Sequence, residues 1–274
     1  MAGMIPIRSG ILPLQCPGKN LLEMKPRKKS REDSRLFSSE TLDDLLYGEL
    51  KIIQKKKGFR YSVDALLLSD FVLKQIKNGD KVIELGCGNG VVSLILAKRS
   101  KAKEILGIEV QSSLVNLAKR NVKLNKLGRK IKVLKADIKN LPKIFAKESF
   151  DWVISNPPFR KVGTGLLSKS QERAIARYEL KIRMEEVLRV SEYLVKPEGK
   201  IALIYPLERL LELVARIVET SLNPGRLKFA FHKRGDLKPI LFAIELLKGD
   251  SGFELEKPWL IETEQGRFHL DRDR

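Results

Sequence analysis

From Lys81 onward the chain alternates short apolar runs with longer periodic ones, and this alternation limits the fold more than any other feature. KVIEL (Lys81 to Leu85), EILGIEV (Glu104 to Val110), IKVLKAD (Ile131 to Asp137) and FDWVIS (Phe150 to Ser155) have the length and character of buried strands. Between them VVSLILAKRS and SSLVNLAKRNVKLN read as helices, the second repeating Leu114, Leu117, Ala118 and Val122 at helical spacing. KSQERAIARYELKIRMEEVLRVSEYLV predicts a further helix, GKIALIYP a fifth strand and LERLLELVARIVETS another helix. LKFAFHKR and PILFAIELLK predict two closing strands joined as a hairpin, and WLIETE a last strand in the tail. Strands and helices alternating in this way call for a mostly parallel sheet with helices on both faces. The expected fold is therefore α/β: a mostly parallel, seven-stranded sheet with helices on both faces and a C-terminal antiparallel hairpin. Upstream, ETLDDLLYGELKIIQ suggests a short helical turn leading to a strand. GFRYSVDALLLSDFVLK suggests a loop and then a helix, with Ser62 or Asp64 near its start.

The 274 residues show no internal repeat and no low-complexity linker, so a single domain is the economical reading. Residues 1–35, including PRKKSRED, predict a basic flexible arm, and residues 36–274 one domain. Within that domain, 36–78 form an N-terminal segment, 79–248 the core and 249–274 a tail with its own hairpin. No run approaches the roughly 18 apolar residues of a membrane span. The opening MAGMIPIRSGILPLQ, broken by prolines, makes a poor signal peptide, which points to the cytoplasm. Cys16 and Cys87 lie far apart in a chain with 2 histidines, whereas a disulfide framework or a zinc site would need more ligands at closer spacing, so no metal is expected. Lys and Arg total 53 against 34 acids, a net charge of +19, and an excess of that size favours a polyanionic partner, nucleic acid first. The pattern selects neither a monomer nor a homodimer.

VIELGCGNG (Val82 to Gly90) joins a strand ending in an acid, Glu84, to glycines at alternate positions. Gly86, Gly88 and Gly90 let the backbone approach a ligand closely and turn into a helix N-terminus. The spacing is GxGxG, which differs from the GxGxxG that seats a pyrophosphate. About 20 residues on, the second strand carries Glu109, where α/β folds hold a ribose. Asp137 and Ile138 follow the third strand, and an alternative role for Asp137 is to cap the next turn. This order of strand, acid, GxGxG, helix, strand and acid resembles the class I S-adenosyl-L-methionine-dependent methyltransferases, with their Rossmann-like core. The resemblance implies S-adenosyl-L-methionine as cofactor, held by Glu84, Gly86, Cys87, Gly88, Gly90, Glu109, Val110, Asp137, Ile138 and Asn156. In it Glu109 takes the ribose hydroxyls, Asp137 the adenine amino group, and Ile138 packs on the adenine ring.

The fourth strand runs into Asn156-Pro157-Pro158-Phe159, and consecutive prolines forbid a continued central strand. A planar amine is a weak nucleophile because its lone pair is delocalised. Acceptors for its N–H groups favour pyramidal nitrogen and aim the lone pair. Asn156 offers a side-chain carbonyl, Pro157 a main-chain carbonyl, and Phe159 a ring for stacking. The motif is similar to the [NDS]PP[FYW] signature of amino-group methyltransferases, which implies Asn156, Pro157, Pro158 and Phe159 as catalytic. That signature is shared by enzymes of adenine N6, guanine N2 of ribosomal RNA and glutamine N5 of release factors. GFRYSVDALLLSDFV and SQERAIARYE, taken with NPPF, resemble the bacterial tRNA(Val) adenine N6-methyltransferase family, from about Thr41 to Phe268. The family implies tRNA as partner and the adenosine after the anticodon as target. The chain departs from the family's frequent ARHE with Ala176-Arg177-Tyr178-Glu179. Arg173 and Arg177, four apart on one helix face, suit phosphate contact or pairing with Glu172 and Glu179. Arg60, Tyr61, Arg160 and Lys161 are the further substrate candidates, with Lys55, Lys56 and Lys57 nearby, and Phe59 to Tyr61 could close over the cofactor.

Overall fold

The computed structural model describes residues 36–157, 182–249, 252–263 and 266–267. Its first element is a correction: ETLDDL is a strand, not a helical turn. β1 (Glu40–Leu45) and β2 (Leu50–Lys55) pair antiparallel, with Glu40 opposite Lys55 and Leu45 opposite Leu50. Thr41, Asp43 and Leu45 are more covered than Leu42 and Asp44, which is the period of a strand. Between the strands Leu46, Tyr47 and Gly48 have φ of 52°, 55° and 86°. A tight hairpin uses such left-handed residues and a right-handed helix cannot.

The expected alternation follows. α1 (Val63–Leu73) starts after Ser62, then come β3 (Lys81–Leu85), α2 (Val91–Arg99), β4 (Glu104–Glu109) and α3 (Ser112–Leu124). β5 (Ile131–Lys135) leads through a 3₁₀ turn (Ile138–Lys143) to β6 (Phe150–Ser155). Of the long helix expected from Lys169, the described part is α4 (Met184–Leu194), which passes straight into β7 (Val195–Pro206). After a 3₁₀ turn (Leu207–Arg209) come α5 (Leu210–Ile217), β8 (Asn223–Phe231) and β9 (Leu241–Leu247). The tail adds β10 (Glu254–Leu255), β11 (Trp259–Leu260), β12 (Glu262–Thr263) and β13 (Gly266–Arg267).

Seven strands lie in the order β8-β9-β7-β6-β3-β4-β5; β10 and β11 extend the outer edge of β8 and make nine in all. β5, β4, β3, β6 and β7 run parallel, while β9 runs against both β7 and β8. Successive strand residues fall into different cores, as period two requires. Val82, Trp152, Ile154, Ala202 and Ile204 pack with α1 and α2, whereas Ile83, Val153, Ile201 and Leu203 pack with α4 and α5. Burial on both faces explains why these strands read as continuous apolar runs.

This topology positions the site. The chain steps outward from β3 to β4 to β5, then returns with β6 on the other side of β3. The connections leaving β3 and β6 diverge, and a crevice opens at their carboxyl ends. Pro206 at the end of β7 pairs with Leu241 at the start of β9, so the β8–β9 turn stands at that same end of the sheet.

Candidate active site

After Leu85 the chain clears the sheet edge and enters α2 within five residues, Gly86 to Gly90. Gly86, Gly88 and Gly90 have φ of 77°, 55° and 87°, a region that costs any residue with a Cβ. The loop is anchored below, where the amides of Gly86 and Cys87 both donate to the Ile108 carbonyl, at 2.9 and 2.8 Å. The three glycines differ in surroundings. A Cβ on Gly86 would meet nothing within 4 Å, and a Cβ on Gly88 would lie 2.8 Å from the Phe59 ring. A Cβ on Gly90 would touch Ala118 of α3 at 3.4 Å, so this glycine serves the approach of two helices. Cys87 is buried with its Sγ against Gly107, where a Cβ would lie 2.9 Å away, and burial first, then Glu84 and Glu109, push the thiol's pKa up.

The two strand-end acids lie under this loop. Glu84 is buried and accepts from the amide of Ser93, at 3.0 Å, and from the Ser93 hydroxyl, tying β3 to the first turn of α2. Burial raises its pKa to about 7; the Ser93 hydrogen bonds pull down and Glu109 adds to the rise. Glu109 accepts from the Gly88 amide at 3.1 Å through Oε2 and from the Gln111 amide at 2.8 Å through Oε1. Asp137 lies two residues beyond β5, and its Oδ1 accepts from the Lys139 amide at 3.0 Å, so it does cap the following turn.

A first cavity is lined by Phe59, Gly86, Gly88, Glu109, Val110, Asp137, Ile138, Ser155, Asn156 and Pro157. Ser155 closes its floor by donating Oγ–H to the Leu85 carbonyl at 2.8 Å. A second cavity is lined by Phe59 to Ala65, Glu84, Gly86, Cys87, Asn89, Pro206, Ile240 and Leu241. Asn156 and Pro157 line both cavities, as do Gly86 and Phe59. The residue types suit two different ligands meeting at one point: carboxylates and bare backbone on one side, an amide carbonyl between, aromatic and apolar walls beyond. Pro158, Phe159, Arg160, Lys161, Arg173 and Arg177 lie outside the described residues, as do Cys16 and the segment 1–35.

The segment before α1 is committed to the β1–β2 hairpin. Arg60 donates to Asp43 at 2.6 Å and to the Thr41 hydroxyl at 2.9 Å, so its guanidinium already has acceptors. Tyr61 is half-buried, its amide donates to Gln54 at 3.1 Å, and burial raises its phenol pKa. Asn121 and Asn125 on α3 dock the hairpin. Asn121 accepts from the Ile53 amide at 2.7 Å and donates to the Ile53 carbonyl at 3.1 Å and the Asn89 carbonyl at 2.9 Å. Asn125 repeats this with Lys51, at 2.9 and 2.7 Å. Four residues of helix rise about 6 Å and two of strand about 6.6 Å, so amides at i and i+4 can imitate a neighbouring strand. Sequence reasoning passes over Asn121, although a polar residue beside Leu117, Ala118 and Val122 was the available signal. Gln54 and Asn89, joined through a weak 3.4 Å contact, were missed as well.

A family model described as a methyltransferase domain matches residues 76–240. Among curated relatives, a tRNA1(Val) (adenine(37)-N6)-methyltransferase of Porphyromonas gingivalis (strain ATCC 33277) is 30% identical over 133 residues, 48% of this chain. That match spans only about half the relative's length, 51%. A relative of the same name from Histophilus somni is 30% identical over 169 residues, 60% of this chain and 68% of its own. Among solved structures, one described as a predicted O-methyltransferase of Agrobacterium tumefaciens is similar in fold, with TM-score 0.56 and 21% identity. It covers 77% of this chain and 92% of its own.

Proposed function

The chain belongs to the methyltransferase-domain family, and from that premise we propose that it methylates the exocyclic N6 amine of adenine in tRNA. The donor is S-adenosyl-L-methionine, which when bound supplies an electrophilic methyl group on a sulfonium. The first cavity fits such a group. Gly86 leaves open space where any side chain would intrude, and Glu109 holds a carboxylate at the wall by two backbone amides. In this reading Gly86, Cys87, Gly88 and Gly90 shape the cradle, Glu84 orders it from below, and Glu109 accepts from the ribose hydroxyls. Val110 and Ile138 pack against the adenine of the donor, and Asp137 accepts from its amino group.

The observation that carries the reading is the shared wall: Asn156 and Pro157 line both cavities. An amine presented through the second cavity would meet the Asn156 side-chain carbonyl and the Pro157 carbonyl. Accepting its N–H groups favours a pyramidal nitrogen whose lone pair faces the first cavity. After transfer the nitrogen would lose its proton to solvent, so no base need act on the amine beforehand. Pro158 and Phe159 complete the motif, with Phe159 stacking the target base. Adenosine 37 of a valine tRNA is the target named for the relatives and is the position proposed here. Arg60, Tyr61, Arg160, Lys161, Arg173 and Arg177 are proposed to face that RNA, and the net charge of +19 supports a polyanionic substrate. Among the described residues no helix is long and apolar enough to cross a membrane. A cytoplasmic site of action is proposed, where tRNA is found.

The substrate class is tested by offering label from the donor methyl group to total tRNA, ribosomal RNA and a release-factor protein in parallel. Label entering tRNA is the expected result. Label confined to ribosomal RNA or to protein overturns the proposal.

A further inference from the structure

The β8–β9 turn takes no part in the chemistry above, yet one of its ends walls the second cavity and the other lines a groove that shares Arg60 and Tyr61 with it. Ile240 and Leu241 wall the second cavity beside Asn156 and Pro157. At the other end His232 lines a groove of about 690 Å³ that also runs past Asp43, Arg60 and Tyr61. Between these ends Lys233, Arg234 and Lys238 are exposed, and Leu237 is wholly so at 101%. Lys233 and Arg234 have no carboxylate within pairing distance among the described residues, and Lys238 meets only the exposed Glu208, at 3.4 Å. The turn has a defined shape. Asp236 accepts from the Lys233 amide at 3.0 Å, Gly235 sits at φ of 91°, and the Ile240 amide donates to the Ala230 carbonyl at 2.8 Å.

A base buried in a folded RNA must leave its stack to reach Asn156. Cations fixed at the cavity mouth would hold the neighbouring phosphates, which sets position without reading sequence. A lone exposed leucine carries no message. An apolar tip set among cations on a turn whose end walls the second cavity does, because such side chains insert against unstacked bases.

We propose that the β8–β9 turn is an RNA-docking element, with Lys233, Arg234 and Lys238 on backbone phosphates and Leu237 packed against the bases that the target nucleotide leaves. The inference rests on RNA being the substrate. The test uses the full chain with total tRNA, measuring affinity across a salt series and donor affinity by calorimetry. The triple variant Lys233→Ala, Arg234→Ala, Lys238→Ala should weaken tRNA binding at least about tenfold and flatten the log–log salt dependence by about three units. Leu237→Ala should lower the rate at saturating tRNA while leaving the salt dependence unchanged. Unchanged donor affinity in both variants would show that the fold is intact. Wild-type protein that binds and methylates tRNA, with a triple variant of equal affinity and equal salt dependence, overturns the docking role alone. Wild-type protein that neither binds nor methylates tRNA overturns the docking role together with the substrate on which it rests.

Discussion

Asn156 stands where two cavities meet, so its removal should separate binding from chemistry. Asn156→Ala is expected to lower the transfer rate by roughly 10²–10³-fold, the usual loss when one preorganised electrostatic contact goes. Donor affinity measured by calorimetry should stay within the wild-type range. Glu109→Ala should do the reverse. Losing a carboxylate that organises Gly88 and Gln111 should weaken donor binding by about tenfold to a hundredfold, and unchanged affinity would refute the assignment. Glu84 gives a third prediction, through pH. Its pKa is raised from 4.5 to about 7 in the folded protein, so between those values the native state keeps a proton that the unfolded chain has lost. Its contribution to stability is therefore greatest below pH 4.5, declines as pH rises, and levels off above 7. Glu84→Gln, neutral at every pH, should gain on wild type in thermal unfolding between pH 5 and pH 8. A gap that stays constant would contradict a buried, proton-holding carboxylate. At this scale the sequence spoke plainly through Gly86, Gly88, Glu84 and Glu109, because backbone freedom and charge are properties of a residue type. It could not say that Gly90 faces Ala118, or that Arg60 is engaged by Asp43, since both depend on elements distant in the chain.

Among elements, the parallel strands were legible and the N-terminal hairpin was not. KVIEL and FDWVIS are apolar on both faces because both faces are covered, and no other structure suits so short a run. ETLDDL, with Leu42 and Leu45 three apart, carries the spacing of a helix, and its pairing with β2 and a left-handed turn override it. That pairing is held from outside by Asn121, which spans β2 and the glycine loop through three hydrogen bonds. Asn121→Ala would leave the Ile53 and Asn89 groups buried without these partners, at a cost of about 3 kcal/mol. Urea unfolding should register the loss. Donor affinity should fall as well, because the same amide fixes the carbonyl of Asn89 within the loop. A variant of wild-type stability would mean that the hairpin docks by other contacts.

At the scale of the molecule, β3 and β6 diverge at one end of a sheet buried on both sides, and the candidate site, the groove and the β8–β9 turn gather there. We propose that residues 36–274 act as one domain, which predicts one cooperative transition in calorimetric unfolding; two resolved transitions would divide it. Charge and fold class were readable, whereas the strand order that opens the crevice was not. The identity of the proposed amine acceptor was not readable either, because the NPPF motif suits any such amine and leaves its identity to the surrounding walls. The most direct measurement is therefore of the product. tRNA incubated with the protein and label in the donor methyl group is digested to nucleosides, and the labelled one is identified. N6-methyladenosine, lost on Asn156→Ala, is the expected product; label in N2-methylguanosine, or none in RNA, would overturn the proposed activity.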